Sequence, residues 1–159
     1  ARTHDLIHPP RQRHSTTRRG FFPDGEGSGF FFKETLMGWT FSNWTRDELI
    51  HARTRSEESK AARWETIAHT LHGDVLWSVV RITARRPGVL GLDSGQSTTL
   101  IACHLLQGSG SNWGYKPMDE SMHPYYYSCP LAYLEMAPMR SAEWREGVRT
   151  WHAQQATAA

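Results

Sequence analysis

The sequence predicts an α+β fold in which a small antiparallel sheet, arranged as a meander, is covered by a capped helix and an amphipathic C-terminal helix. Three observations lead to this fold class. A capping box begins at Thr45, strand-forming segments follow one another from Thr66 to Leu106, and apolar residues recur at a helical period after Ser141. The chain has 159 residues, which is the length of one ordinary domain.

The N-terminal segment differs from the rest of the chain. It shows neither a strand period nor a helix period, and it includes Pro9-Pro10 and five arginines. We expect residues 1–36 to form a disordered or extended arm, and residues 37–159 to form a single α+β domain that begins at Met37. A basic tail that touches nucleic acid is the alternative for the arm.

The predicted domain opens with a short strand-forming run from Met37 to Phe41. Thr45-Arg46-Asp47-Glu48 then matches the capping box, in which the Thr hydroxyl and the Glu carboxylate accept hydrogen bonds from free backbone N–H groups. A helix is therefore expected after Thr45. Because the chain is strongly polar from Arg53 to Lys60, this helix should lie at the surface with a narrow buried stripe.

A hairpin is expected after this helix. The segments Thr66 to Leu71 and Val75 to Ile82 are rich in β-branched and apolar side chains, and Gly73 lies between them. The run from Thr98 to Leu106 is almost wholly apolar, which is typical of a strand in the middle of a sheet. Three consecutive strands of this kind predict an antiparallel meander.

The C-terminal part combines loops and helices. Gln107 to Asn112 predicts a flexible loop, and Trp113 to Pro130 shows no period, so an ordered loop is expected there. Leu131 to Met136 has room for one or two helical turns. Ser141 caps a last helix whose apolar side chains lie at i, i+4 and i+7, namely Trp144, Val148 and Trp151. We expect this helix and the capped helix to cover one face of the sheet.

Charge and cysteine content restrict the class of protein. The net charge of +2 lies wholly in the arm, because residues 37–159 hold twelve basic and twelve acidic side chains, whereas a folded nucleic-acid reader normally carries a basic excess. No apolar run is long enough to cross a bilayer, and the first 20 residues lack the apolar stretch of a secretory signal. Two cysteines, Cys103 and Cys129, make no disulfide framework. We expect a cytoplasmic protein without a cofactor.

One candidate for chemistry is formed by Lys116, Asp119 and Glu120. A carboxylate beside another carboxylate has its pKa raised, and a nearby lysine neutralises one of the two, which would suit acid–base or cation-holding work. The alternative is structural: one carboxylate caps a short turn and pairs with Lys116. A small enzyme that acts on nucleotides or nucleic acid would depend on these three residues.

The cysteines and histidines give weaker candidates. His123, His104 and His69 are formal bases for a Cys129 nucleophile, but nothing in the sequence brings them together, and a small buried thiol is the preferred interpretation of Cys129. His69 and His72 have a spacing that fits one face of a helix, whereas their segment predicts a strand and a turn. No metal site is expected.

Large flexible and aromatic side chains crowd into the segment that follows the predicted sheet. Such side chains stack on bases or form hot spots of protein interfaces. About half of them should belong to the core, and the rest predict a binding surface. The candidate binding residues are Trp113, Tyr115, Met118, Met122, Tyr125, Tyr126 and Tyr127.

Three motifs carry a resemblance to a known family. The chain has MGWT from Met37, YKPMDESMHPYYYSCP over 115–130 and Glu143-Trp144-Arg145. This pattern resembles a family of small proteins encoded in bacteria, phages and plasmids, which open with Met-Gly-Trp-Thr and share Tyr-Lys-x-Met-Asp-Glu-x-Met-x-Pro-x-Tyr-Tyr-x-Cys-Pro. The resemblance covers residues 37 to about 152. His123 stands where the family usually has Gly, and Pro117 where Asp is common.

The preferred function is that of a non-catalytic accessory or interaction protein. The resemblance implies a role on a mobile element, for example in countering host defence as an anti-CRISPR or anti-restriction factor that binds a host protein or a protein–nucleic-acid complex. The alternatives are the small enzyme described above and a single-stranded nucleic-acid binder that uses Trp113 and the tyrosines. Direct binding of nucleic acid therefore stays open.

Overall fold

A computed structural model of the chain describes residues 38–118 and 122–159. The expected arm and the start at Met37 lie outside the described residues. The strands are β1 (Thr40–Phe41), β2 (Glu57–Glu58), β3 (Ala62–His72), β4 (Val75–Ala84), β5 (Ser97–Ser109) and β6 (Asn112–Pro117). The α-helices are α1 (Arg46–Thr54), α2 (Leu131–Met136) and α3 (Ala142–Ala158), and a short 3-10 helix spans Val89–Gly91. The predicted α+β class is confirmed.

The six strands form one antiparallel sheet in the order β1-β6-β5-β4-β3-β2. Strands β3 to β6 are consecutive neighbours, so the predicted meander is confirmed. The hairpin between β3 and β4 turns at Gly73, whose φ of 62° is easily adopted by glycine. The strand expected near Phe41 joins the sheet beside β6.

The capping box at the start of α1 is present as predicted. The hydroxyl of Thr45 accepts from the N–H of Glu48 at 3.2 Å, and the Glu48 carboxylate accepts from the N–H of Thr45 at 2.9 Å. The last helix also begins as predicted, because the Ser141 hydroxyl accepts from the N–H of Trp144 at 3.1 Å. Among the described residues, no helix combines the length and the apolar composition that crossing a bilayer requires.

Both loops expected between Gln107 and Pro130 were predicted too broadly. The first is wrong because β5 continues to Ser109 and β6 starts at Asn112, with Gly108 opposite Trp113 in the ladder. The second is wrong at its start because residues 112–117 are strand. Backbone pairing with β5 and β1 holds this segment extended, and such long-range hydrogen bonds leave no hydrophobic period in the sequence.

Helices α1 and α3 lie on opposite faces of the sheet, so the expectation that both cover one face is wrong. Alternate side chains of a strand point to opposite faces. Leu49 of α1 packs in a buried cluster with Leu76, Leu106 and Tyr115, which we call the α1-side core. Helix α3 contributes to the α3-side core, which contains Val75, Trp77, Val79, Ile101, Cys103, Met118, Cys129, Tyr133, Leu134, Ala137, Trp144 and Val148.

Strand β4 shows why the sheet needs cover on both faces. Leu76 belongs to the α1-side core and Trp77 to the α3-side core, and both are fully buried. Further along the strand, Val80 and Ile82 pack with Trp64 of β3 in a third buried cluster. A strand that is buried on both faces does not alternate between apolar and polar residues, and the sequence of β4 is accordingly mostly apolar.

Candidate functional site

The described part of the motif after β6 is largely a structural element. We call residues 122–130 the crossing segment, because it leads from the sheet to α2. Met118, which precedes this segment, and Cys129, near its end, are both buried in the α3-side core. The N–H of Met118 also donates to the carbonyl oxygen of Cys103 at 3.1 Å.

Side-chain hydrogen bonds fix the crossing segment to the sheet and to α3. The indole N–H of Trp77 donates to Ser128 Oγ at 2.9 Å, and Ser128 Oγ donates to the carbonyl oxygen of Tyr125 at the same distance. The indole N–H of Trp144 donates to the carbonyl oxygen of Tyr126 at 3.3 Å. These bonds satisfy two buried indole donors and set the course of the backbone.

Two further contacts hold the crossing segment against α3. His152 Nε2 donates to the carbonyl oxygen of Cys129 at 2.7 Å. The ring of Tyr127 packs on the backbone at Gly147, so closely that a Cβ at this position would overlap the ring. A glycine in the middle of α3 therefore serves close packing.

Tyr125 lies on the outer side of this fixed segment. Its side chain is 38% exposed, and its ring makes an edge contact with His72, with 4.7 Å between ring centroids. His72 in turn contacts the ring of Trp151 of α3 at 5.5 Å. We call His72, Tyr125 and Trp151 the aromatic patch. His123 lies beside it, 5.9 Å from the Tyr125 ring.

The seven predicted binding residues divide between core and surface. Tyr115 and Met118 are buried in the two cores, and Trp113 is half-buried against the α1-side core. Tyr126 and Tyr127 are half-buried against the α3-side core. Met122, which is 91% exposed, and Tyr125 face solvent. The structure thus leaves two of the seven as surface candidates.

The predicted chemical cluster is described only at Lys116. Its ammonium nitrogen lies 5.4 Å from the ring centroid of Trp39, and Trp39 stacks with Phe41 at 6.0 Å. Asp119 and Glu120 lie outside the described residues. Lys116 therefore lies beside a second aromatic group at the β1 edge of the sheet, which consists of the half-buried Trp39 and the exposed Phe41.

The two thiols are in surroundings that disfavour the thiolate. Burial raises the pKa of Cys103 far above its usual range and raises the pKa of Cys129 to about 12, although the charge of Arg140 lowers both. A thiol with such a pKa is protonated at neutral pH and is a poor nucleophile. No cluster of three side chains suited to bind a metal ion is found within 38–118 and 122–159.

A buried polar cluster on the α1 side was not among the residues predicted from the sequence. Arg53 Nη2 lies 3.4 Å from His104 Nε2, and the Arg53 guanidinium stacks over the ring of Tyr115 at 4.5 Å. Burial and the charge of Arg53 hold the pKa of His104 well below 6.5, so its ring is neutral. The spacing of Arg53 four residues after Leu49 is the signal that it shares the buried helix face.

A groove of about 450 Å³ lies between α2 and α3, away from the predicted site residues. Its lining combines apolar and charged side chains: Leu131, Leu134, Glu135, Arg149, His152, Ala153 and Ala156. His152 links this groove to the crossing segment through its bond to Cys129.

No protein-family model, curated protein or solved structure matches this chain. The resemblance to small phage and plasmid proteins therefore stays a prediction from the motifs.

Proposed function

We propose that the chain is a non-catalytic binding protein that holds a protein partner through the aromatic patch and Met122. The observation that carries this proposal is the position of Tyr125. It is an exposed aromatic side chain on a backbone segment tied to the core at Tyr126, Ser128 and Cys129. An aromatic residue on a rigid backbone loses little conformational entropy on binding, which is why such residues act as hot spots.

Four groups with catalytic potential are engaged in the structure, namely Cys103, Cys129, His104 and Lys116. Burial keeps Cys103 and Cys129 protonated, and His104 is a neutral ring buried between Arg53 and Tyr115. Lys116 lies over an aromatic ring. These arrangements support packing and binding better than acid–base or nucleophilic chemistry.

Local charge favours a protein over nucleic acid as the partner. Beside the patch, Arg46 donates to the carbonyl oxygen of Gly73 and lies 3.9 Å from the carboxylate of Asp74. On α3, Arg149 lies 3.3 Å from Glu146. Cations that are balanced by carboxylates contribute little to phosphate binding, which needs an excess of positive charge.

The resemblance to phage and plasmid proteins extends this proposal to the partner. A small accessory protein of a mobile element acts on the cell that carries the element, and host defence complexes, of the CRISPR or restriction type, are the partners we propose. This part of the proposal rests on the motifs and not on the geometry.

Affinity capture from host lysate tests the proposal. The immobilised full-length chain is incubated with lysate, with and without nuclease, and bound proteins are identified by mass spectrometry. We expect the same protein to be captured in both conditions, and Tyr125→Ala to lose it. Phe41→Ala is the matched control, because Phe41 is an aromatic residue of similar exposure, 46%, in the second aromatic group at the β1 edge. Capture that disappears with nuclease, or that Tyr125→Ala leaves intact, contradicts the proposal.

A second candidate is a single-stranded nucleic-acid binder that uses Trp39, Phe41 and Lys116. Stacked, partly exposed rings beside a cation are the usual elements of a stacking platform for bases. Fluorescence anisotropy with a labelled oligonucleotide tests it. Salt-dependent binding that is lost in Phe41→Ala and kept in Tyr125→Ala would favour this candidate over the protein-binding proposal.

A further inference from the structure

Strand β3 has an open edge. On its outer side β2 pairs with Arg63 and Trp64, and the N–H of Thr66 donates to Ser56 Oγ at 3.3 Å. Beyond this point, from Ile67 to His72, no other strand in the described part of the chain pairs with the outer side of β3. An open edge presents backbone donors and acceptors that another strand can use.

A β-bulge in β3 determines which residues direct their backbone N–H and C=O groups towards the open edge. The N–H of Thr66 points outward, to Ser56, and the register with β4 shifts between Thr66 and Ala68. The extra residue reverses the alternation, so that Ala68 and Thr70 face β4, opposite Val79 and Trp77. The outward N–H and C=O groups therefore belong to His69 and Leu71.

The side chains of this edge do not protect it. Natural edges are usually blocked by charged residues or proline, but none occurs from Thr66 to His72. His69 is exposed, and Leu71 is an exposed aliphatic side chain, at 38%. A strand of this composition favours pairing with another strand.

We propose that this edge pairs with the same edge of a second copy of the chain, antiparallel and around a two-fold axis at Thr70. In this register Thr70 lies opposite the partner's Thr70, a favourable cross-strand pair. His69 lies opposite the partner's Leu71, and the two residues exchange both backbone hydrogen bonds. The symmetry repeats this pair, and the two sheets become one.

The length of the open edge supports a second copy as the occupant. In the proposed register the partner's Gly73 lies opposite Ile67, so the partner strand reaches its hairpin turn just before Thr66. Ser56 and β2 occupy the outer side of β3 only from Thr66 back to Arg63. Both β2 strands therefore stay in place, and no two like charges face each other across the axis.

Light scattering on the full-length chain, coupled to size exclusion, tests the proposal. We expect the mass to rise with concentration from 18.2 kDa towards twice that value. Leu71→Lys, which places a charge at the edge, and Leu71→Pro, which removes an outward N–H, should both stay monomeric with an unchanged circular dichroism spectrum. Leu131→Lys is the control, since Leu131 is an exposed leucine on α2.

Hydrogen exchange gives a second measurement that does not depend on mass. The amide of His69 should exchange slowly in the wild-type chain at high concentration and quickly in Leu71→Lys. A wild-type chain that is monomeric at every concentration overturns the proposal. So does a dimer that persists in Leu71→Lys, or one that is lost in Leu131→Lys.

Discussion

The indole N–H of Trp77 donates to the hydroxyl oxygen of Ser128 at 2.9 Å, and both residues are buried. Trp77 lies in a central strand, and Ser128 belongs to the crossing segment, 51 residues later. This bond joins the sheet to the segment that carries Tyr125. The same serine hydroxyl donates to the Tyr125 carbonyl oxygen, so one side chain connects the core to the proposed binding residue.

Replacement of Ser128 by alanine should destabilise the protein. The variant leaves the buried N–H of Trp77 without its acceptor, which costs about 1–3 kcal/mol. Urea denaturation gives the free energy of unfolding. Ser111→Ala, in the exposed turn between β5 and β6, is the control and should change stability little. Equal effects of the two variants would show that the bond to Trp77 contributes nothing.

Gly147→Ala should also destabilise the protein, against the usual trend. In a helix interior, alanine is favoured over glycine by roughly 0.5–1 kcal/mol. At Gly147 the new Cβ overlaps the ring of Tyr127, so we expect the sign to reverse. In a Tyr127→Ala background the same substitution should be stabilising. Chemical denaturation of the single and double variants checks this, and a stabilising effect in the wild-type background contradicts the packing.

Trp144→Ala should cost about 3–5 kcal/mol, the range for a large buried aromatic side chain. Trp144 is 4% exposed and packs 5.8 Å from the ring of Trp77. Trp151→Ala should cost less, because Trp151 is half-buried. Thermal or urea unfolding of both variants shows which substitution costs more stability. A smaller loss for Trp144→Ala than for Trp151→Ala would contradict the placement of Trp144 in the core.

Stability should fall on acidification because of His104. The unfolded chain protonates this ring near 6.5, whereas the folded chain does so only at lower pH. Below pH 6.5 the unfolded state therefore binds more protons, and the free energy of unfolding decreases as pH falls towards the folded pKa. The measurement is urea denaturation from neutral to mildly acidic pH for the wild type and His104→Gln. The wild type should lose more stability over this window, and parallel curves would contradict the prediction.

The elements with local signals could be predicted from the sequence. The side chains of Thr45 and Glu48 each accept a hydrogen bond from the other's backbone N–H, so the capping box spans only four residues. Gly73 lies between two strand-forming runs. The start of α1 and the β3–β4 hairpin could therefore be predicted without knowledge of the fold. Strand β6 has no such signal. Its residues Asn112 to Pro117 are held extended by pairing with β5 and β1, which depends on the whole sheet.

The candidate site was predictable as a segment and not as individual residues. Tyr125, Tyr126 and Tyr127 are identical in the sequence, and the turn around Ser128 decides which of them faces solvent. The N–H of Tyr126 donates to the His123 carbonyl, and the N–H of Ser128 to that of Tyr125. The placement of α1 and α3 on opposite faces of the sheet could likewise not be predicted, because β4 is apolar on both faces and does not indicate which face each helix covers.

Binding isotherms with the captured protein partner test the central claim, that Tyr125 anchors a partner at a segment that performs no chemistry. The measurement compares wild type, Tyr125→Ala and Asp119→Asn, with folding checked by circular dichroism. We expect Tyr125→Ala to weaken binding by about 2 kcal/mol or more, the effect of an aromatic hot spot. Asp119→Asn should leave the affinity unchanged, because it keeps the shape of the side chain and removes only the charge. Unchanged binding by Tyr125→Ala, or binding that is weakened in Asp119→Asn and not in Tyr125→Ala, would contradict the claim.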